Sequence, residues 1–547
     1  MTETGSPSPH WETLYRLRSL ARENHSDPEL RTTVRKAGAK LIAQLRAELA
    51  SVMDGKAFSD TSASHGLKDL ARGIRLDLLQ LVFERCDRPV FLQTPSLPEG
   101  DWSEIVNAGL DPEGCRAFFA GQALQKRPFQ FQTDGARHAS FVLNSPLSGE
   151  PRHALGSFIA FERPGCPILF YIFHDPEPFL AIVSPYRGEI VGALFPRRGL
   201  MVGLERASKY HAAIARLKAL MIEFSPRVAD YISDRTAMRP AILSGIMDHF
   251  GHNVLNEFEA VHQLISTEST KNLVIRLSGG IDYFDFNELF PELAALPNFT
   301  TESPEEMFRA VIENHVFAVR PTCGDYHFSA GLRKRLIAAS SDITCYDWLS
   351  GKWPVIWFEL RGDHRVWTNQ VGGIVEIVKS LHARYPNAVA VIGGWSTPLN
   401  SPAPESDERF VRSHHDLINK ICDALPPEIS VINLAGVSTT HKVAAAKWVH
   451  SFVAGFGTAI IFPLGVGRAT GVAHTNSAFL EELKRDDLLA IFDEIAPVVM
   501  MEADPGDDIP SDGHYHTWNY AADWRVMLAH LIDILEPPSR GAVETAR

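Results

Sequence analysis

One stretch constrains this chain more than any other. Residues 355–395 read VIWFELRGDHRVWTNQVGGIVEIVKSLHARYPNAVAVIGGW. Residues 355–360 form an apolar run too short for a helix, so they predict a strand buried on both faces. Val371, Ile374, Val375, Val378 and Leu381 then recur at helical spacing, and a second strand over 388–392 ends in Gly393 and Gly394. The stretch therefore predicts a βαβ unit. Ligands bind outside the carboxyl ends of the strands in open parallel sheets, so Arg361, Asp363, His364, Arg365, Asn369, Gln370 and Trp395 are expected to face one crevice.

A chain of 547 residues is too long for one ordinary core, and two or three domains are expected. The 53 basic and 66 acidic residues leave a net charge of −13, which argues against a general nucleic-acid or anionic-membrane partner. Cys86, Cys115, Cys166, Cys323, Cys345 and Cys422 are scattered without CxxC spacing, so neither a zinc ribbon nor a disulfide framework is expected. A reducing compartment fits that usage. The start MTETGSPSPH lacks a basic segment followed by an apolar core, and no run of about 18 apolar residues occurs, so a soluble, cytoplasmic protein is expected.

Helical spacing over 11–49 and 67–83 predicts a largely helical region, residues 1–125. From about 129 to 196 the pattern changes to short apolar runs separated by Gly, Pro and Asp, which predicts antiparallel sheet; with the helix over 204–224 this makes a segment 126–235. Pro226 and Pro240 bracket a boundary. Helices and strands then alternate in two α/β halves, 236–350 and 351–547, the second running through SVINLAG, HKVAAAKWVHSF, a short strand at Val453, TAIIFP and GVAHTN to a last helix over 524–535. Such alternation implies parallel sheets covered by helices.

Four clusters bear on chemistry. Asp248, His249, Gly251, His252, Asn253 and Glu257 open a helix, where backbone N–H groups favour anions and the histidines beside an aspartate could act as base or orienter. Gly251 would let a substrate approach the backbone closely, and the competing reading is an N-cap with a surface histidine. The loop from Arg361 to Arg365 suits a diphosphate or carboxylate, against the plainer reading of an Arg361–Asp363 ion pair closing a turn. Gly455, Gly457 and Thr458 after a strand expose N–H groups to a nucleotide diphosphate, or else serve tight packing. His441 and Lys442 after one strand and His474 and Asn476 after another could border the same crevice, with capping as the competing role for Asn476. Asp325 and His327 offer an alternative acid/base pair, and Trp395 a flat face for a sugar or base. Several familiar signatures are missing: the GxSxG elbow, the GxxxxGK[ST] loop, HExxH, an NAD-type glycine fingerprint and the acidic DxD triad.

Residues 241–535 resemble glycosyltransferases of the GT-B type, most closely the family of plant xylan arabinosyl- and xylosyltransferases, a secretory-pathway protein O-GlcNAc transferase and bacterial polysaccharide enzymes. The likeness rests on the glycine-histidine helix start from Phe250 to Glu257, on the strand, arginine and helix around Arg361, and on the small-residue turn from Val453 to Gly457. In that family the last turn often carries a His-Gly pair, and here the histidine is absent. The resemblance implies an α/β chain with a GT-B-like pair of Rossmann-like half-domains; the α-helical segment and the antiparallel β segment that precede them are read from the apolar patterning alone and lie outside the likeness. It implies a nucleotide-sugar co-substrate on the second half, held by Arg361, Arg365, Asn369, Gln370, Trp395, His441, Lys442, Gly455, Gly457, Thr458, His474 and Asn476. A glycan, polysaccharide or protein acceptor would meet Asn253, Glu257, Asp325 and His327 on the first half. Transfer would invert the anomeric centre without metal or other cofactor, with His252, or else His249 or Asp248, as base. The competing expectations are a non-catalytic carbohydrate- or nucleotide-binding protein and a sugar-nucleotide-modifying enzyme such as an epimerase.

Overall fold

The computed structural model describes residues 89–536, apart from 95–99, 121–124, 162–166, 205–208, 234–237, 248, 302, 400–404, 487, 494–495, 502–503 and 511–512. The helices expected over 11–49 and 67–83 lie outside the described residues, as does Asp248. The architecture is mixed α/β, built on one largely antiparallel sheet and two parallel sheets. Among the described residues no helix is long and apolar enough to cross a membrane.

The antiparallel sheet is a meander of β2 (Gly156–Phe161), β3 (Pro167–His174), β4 (Pro178–Val183), β5 (Ile190–Phe195) and β6 (Leu200–Gly203), with β1 (Val90–Gln93) added parallel to β6. Its central strands are buried on both faces, which is why they read as continuous apolar runs rather than as alternation. Residues expected to begin this sheet instead form the helix Gln130–His138, whose buried face is short and whose remaining positions are polar.

The first parallel sheet comprises β7 (Arg239–Ser244), β8 (Ile275–Ser278), β9 (Asn298–Thr300) and β10 (Val316–Val319), in the spatial order β9-β8-β7-β10. Its central strand, β7, contains Pro240, the residue that reads as a boundary in the sequence. Proline is tolerated there because Pro240 sits at the strand's entrance and contributes its carbonyl, which accepts from Val274 N at 3.1 Å. The outer strand β10 lies beside β2 of the meander. Ser157 Oγ accepts from Ala318 N at 2.8 Å, and the buried Tyr171 hydroxyl donates to Ala318 O at 3.2 Å. Side chains thus join the two sheets where no backbone ladder does, and one apolar core runs through both.

The second parallel sheet holds β11 (Val355–Glu359), β12 (Val389–Gly393), β13 (Ser430–Asn433), β14 (Ser451–Gly455), β15 (Thr470–His474) and β16 (Val498–Met500). Its order, β13-β12-β11-β14-β15-β16, is the doubly wound 3-2-1-4-5-6 arrangement. The expected βαβ unit is present as β11, the helix Gln370–Arg384 and β12. TAIIFP is not a strand: Thr458–Ile460 is a 3₁₀ turn running into a π-helical segment, Ile461–Val466. A second core spans both halves, with Phe462 stacked on Phe250 at 5.2 Å and on Trp357 at 5.9 Å.

Candidate functional site

Two helix starts meet where the carboxyl ends of the parallel sheets face each other. From the first half, β7 ends in Gly245, and the chain enters the turn Phe250–His252 and the π-helical segment Asn253–Phe258. From the second, β14 leads through Gly457 to Thr458. A Cβ built on Gly251 would stand 2.2 Å from Thr458 Cγ2. Gly251 therefore admits the opposite half of the protein, where the sequence suggested a substrate. Both segments carry π-helical turns, a rarity that clusters at functional sites.

Arg361 and Arg365 bring two cations to one side of the crevice. Gly457, at φ 129°, is in a conformation that favours glycine, and a Cβ there would lie 3.4 Å from Arg365 Nη2 and 3.5 Å from Arg361 Nη1. The two guanidinium groups thus flank one bare stretch of backbone. Arg361 Nε and Nη1 and Arg365 Nε are buried without a hydrogen-bond partner among the described residues. Arg361 reaches Asp363 only at 3.4 Å, and Arg365 covers the Phe479 ring at 4.5 Å. Burial, followed by the Arg361 charge, pushes Arg365 down to about 10. The same two causes push His474 down to about 3, leaving a neutral ring whose Nδ1 lies 2.7 Å from the Tyr520 hydroxyl. Buried N–H donors without an acceptor are costly, so these guanidinium groups suit an anion beyond what Asp363 supplies to Arg361.

Next to the arginines is a pocket lined by Glu359, Trp395, His414 and Thr458 from the second half and by His249 and Tyr283 from the first. Trp395 N donates to His414 Nδ1 at 2.8 Å, which places the ring proton on Nε2, itself buried and unpartnered. Glu359 accepts from Trp357 Nε1 at 2.7 Å, and burial raises its carboxyl. The pocket thus offers an acid and two N–H groups, His414 Nε2 and Trp395 Nε1, to a polyhydroxyl ligand. Sequence reasoning missed Glu359 and His414. The only signal for Glu359 is an acid inside a buried strand, one residue before the loop; His414 had none beyond its place in a polar helix.

Other expected donor contacts are spent elsewhere. Lys442 is wholly buried and its ammonium donates to Gly394 O, Trp395 O and Ser396 Oγ, so it braces the loop under Trp395 and does not meet phosphate. His441 turns to the Tyr346 hydroxyl at 3.4 Å. Gln370 holds the backbone of Arg361 through both ends of its amide, and Asn369 is exposed. Asn476 caps the helix Ser477–Asp486, donating to Tyr515 O and Trp518 O and accepting from Phe479 N. Gly455 makes room for Arg361, whose Cδ would lie 3.2 Å from a Cβ there.

On the first half, His252 lies among Tyr186, His249 and Tyr326, with ring centroids 5.1, 5.1 and 5.4 Å away. Asn256 Nδ2 donates to Cys323 O at 2.7 Å, which turns Asn256 Oδ1 toward His252 Nδ1 at 3.0 Å. Nδ1 therefore carries the proton, and the Nε2 lone pair faces the Tyr326 hydroxyl at 3.5 Å. Burial, then His249, pushes His252 down to about 4. Three of the four expected acceptor contacts, Asn253, Glu257 and His327, are buried. Asn253 and Glu257 are completely buried, Glu257 accepting from Gly245 N at 2.6 Å with its carboxyl pushed up to about 7 by burial. His327 bridges the halves, with Nε2 2.7 Å from Asp493 and Nδ1 3.4 Å from the buried Glu259. Asp325 is half-buried in the loop beside Tyr326. Tyr186, Asn256 and Tyr326 are the residues around His252 that sequence reasoning passed over, although Asn256 stands four residues on from His252 on one helix. No family model matches this chain, and no curated protein is significantly similar to it in sequence.

Proposed function

We propose that this protein is a glycosyltransferase of GT-B arrangement that moves a sugar from a nucleotide diphosphate donor to a hydroxyl acceptor with inversion. The observation that carries this reading is the pair of partly buried arginines, Arg361 and Arg365, whose buried Nε groups and Arg361 Nη1 have no acceptor among the described residues and which flank Gly457 at the mouth shared by two parallel sheets. Their forked N–H groups match the oxygens of a diphosphate. The adjoining pocket of Glu359, Trp395 and His414 would hold the sugar. His252 Nε2 would accept the proton of the acceptor hydroxyl as its oxygen bonds to the anomeric carbon. The bond from that carbon to the diphosphate then breaks, its electron pair leaves with the nucleoside diphosphate, and both arginines stabilise the charge that develops there.

One observation favours a binding protein without turnover: at about 4, His252 is a weak base. Nucleotide release that depends on an added acceptor separates the two readings, and conversion of the donor without acceptor would point to an epimerase. The test is titration of the wild type and Arg361→Ala with a panel of nucleotide sugars and nucleoside diphosphates. Arg361→Ala is expected to weaken the best ligand roughly 10- to 100-fold, the worth of about 1.5–3 kcal/mol of charge-assisted hydrogen bonding. The unliganded variant should melt somewhat lower than the wild type, because Asp363 loses the arginine that holds its carboxylate charged. Unchanged affinity would reduce Arg361 to a structural residue and sink the reading.

A further inference from the structure

The pocket beside the arginines bears on which donor sugar the protein accepts, an inference that rests on the transferase reading. Its polar groups come from three neighbouring segments of the second half. Glu359 closes β11, Trp395 follows β12, and His414 lies in the helix Glu405–Ala424, which comes next in the chain. Glycines make room for them. Glu359 and Gly393 are paired across β11 and β12, and a Cβ on Gly393 would overlap Glu359 Oε2. A Cβ on Gly394 would stand 2.7 Å from His414 Nδ1, and one on Gly362 would stand 2.9 Å from Nε2. The two glycines at the end of β12 thus admit the carboxyl and the imidazole, and Gly362 leaves the outer ring nitrogen with no side chain over it.

The hydrogen bonds of these groups fix what they offer a ligand. His414 is 1 % exposed, and because Nδ1 accepts from Trp395 N, the ring is neutral and Nε2 carries a proton. Nε2 and Trp395 Nε1 are both buried without an acceptor among the described residues. Both donors are therefore uncharged. Glu359 Oε2 accepts from Trp357 Nε1, and a second acid, Asp363, stands in the same lining. The ammonium of Lys442, behind Trp395, is committed to three oxygens, and Arg361 serves the diphosphate. On this side of the pocket a sugar carboxylate would meet two carboxyl groups beside uncharged donors, a costly burial. A hydroxyl, which donates and accepts at once, matches both kinds of group.

We propose that Glu359 and His414 select a donor whose sugar is uncharged: one hydroxyl donates to the Glu359 carboxyl, a neighbouring one accepts from His414 Nε2, and Trp395 Nε1 donates to a third oxygen. These residues determine which sugar is held, and the transfer step is unchanged.

The test uses the full chain at pH 8, above the value of about 7 to which burial raises Glu359. UDP and GDP are titrated first, and the one that binds sets the pair that follows: UDP-glucose against UDP-glucuronate, or GDP-mannose against GDP-mannuronate. Members of a pair differ only at C6. The neutral sugar should bind about tenfold or more tightly than its uronate, the worth of one hydrogen bond to a charged group. Glu359→Gln should bring the two within about threefold of each other and leave the affinity for the nucleoside diphosphate as it was. A second readout covers the case in which that variant loses the nucleotide. The His414 Nε2 proton is followed by NMR in the wild type, with His414→Gln assigning the signal, and it should move when the neutral nucleotide sugar replaces the nucleoside diphosphate. Equal binding within the pair, a preference for the uronate, a preference that survives Glu359→Gln, or an Nε2 proton indifferent to the sugar each overturns the proposal. If neither UDP nor GDP binds, the diphosphate reading of the arginines falls first, and this proposal with it.

Discussion

At the level of single residues, His252 and Arg361 divide the proposed chemistry between a base and a charge acceptor, and each owes its state to its surroundings. Asn256 sets the tautomer of His252, while burial and His249 keep the ring neutral. His252→Gln is therefore expected to lower turnover by roughly 10²–10⁴, the usual worth of a general base, with nucleotide affinity unchanged. Retained turnover in the folded variant would remove His252 from the mechanism. The pH profile supplies an independent check. The free-enzyme group reports in kcat/KM, so an ordinary histidine would impose an acid limb near about 6.5. His252, at about 4, predicts that kcat/KM stays level down to roughly pH 5. The sequence marks His252 and both arginines because polar side chains at carboxyl ends of strands are visible in a linear reading. It cannot show that Lys442, equally polar and equally well placed, is consumed by three oxygens of the next loop.

At the level of elements, the decisive contact is between the two helix starts. Gly251 lies so close to Thr458 that a methyl group has no place between them. Gly251→Ala is expected to destabilise the protein by about 1–3 kcal/mol through overpacking. Thr458→Ser removes the opposing methyl and should return part of that loss in the double variant, a coupling of about 1 kcal/mol in a denaturant-based cycle. Strictly additive effects would show that the two helix starts do not press on each other. Elements were legible where their periodicity was unmixed, as in the helix Gln370–Arg384 between its two strands. They were illegible where a local signal contradicted the fold. Pro240 marks a break in the sequence but enters a central strand at a point where no ladder N–H is needed. The apolar run of TAIIFP has the composition of a strand and is wound into a helix by its packing on Phe250 and Trp357.

For the whole molecule, the antiparallel sheet, the first parallel sheet and the second are held together by side chains in shared cores. One such connection titrates. His327 lies between Glu259 of the first half and Asp493 of the second. Burial works against its charged form, but the contacts with Glu259 and Asp493 win and raise it above the ordinary histidine value. The sign follows from linkage: a raised folded value adds stability that is complete below the unfolded value of about 6.5 and disappears as pH climbs through the folded value. Asp493→Asn should therefore lower the melting temperature at pH 6 and have little effect at pH 9. An equal loss at both values would mean that the contact does not depend on the charge of His327.

The sequence by itself determined the alternation of helix and strand through residues 241–535, the apolar runs of the meander and the placing of Arg361, Arg365 and His252 at strand ends or helix starts. These are local properties, set by side-chain periodicity and by the few residues that terminate an element. Tertiary structure alone decided which of those polar groups remain free for a ligand. Lys442, Asn476 and His327 are taken up by partners distant in the chain and Gln370 and Glu257 by backbone 9 and 12 residues away, while Glu359, His414, Tyr186 and Tyr326 reach the crevice without any local feature that singles out those four side chains. The reason is physical: a buried donor or acceptor is satisfied by whatever the fold brings within about 3 Å, and that neighbour is a property of packing, which no window of sequence contains.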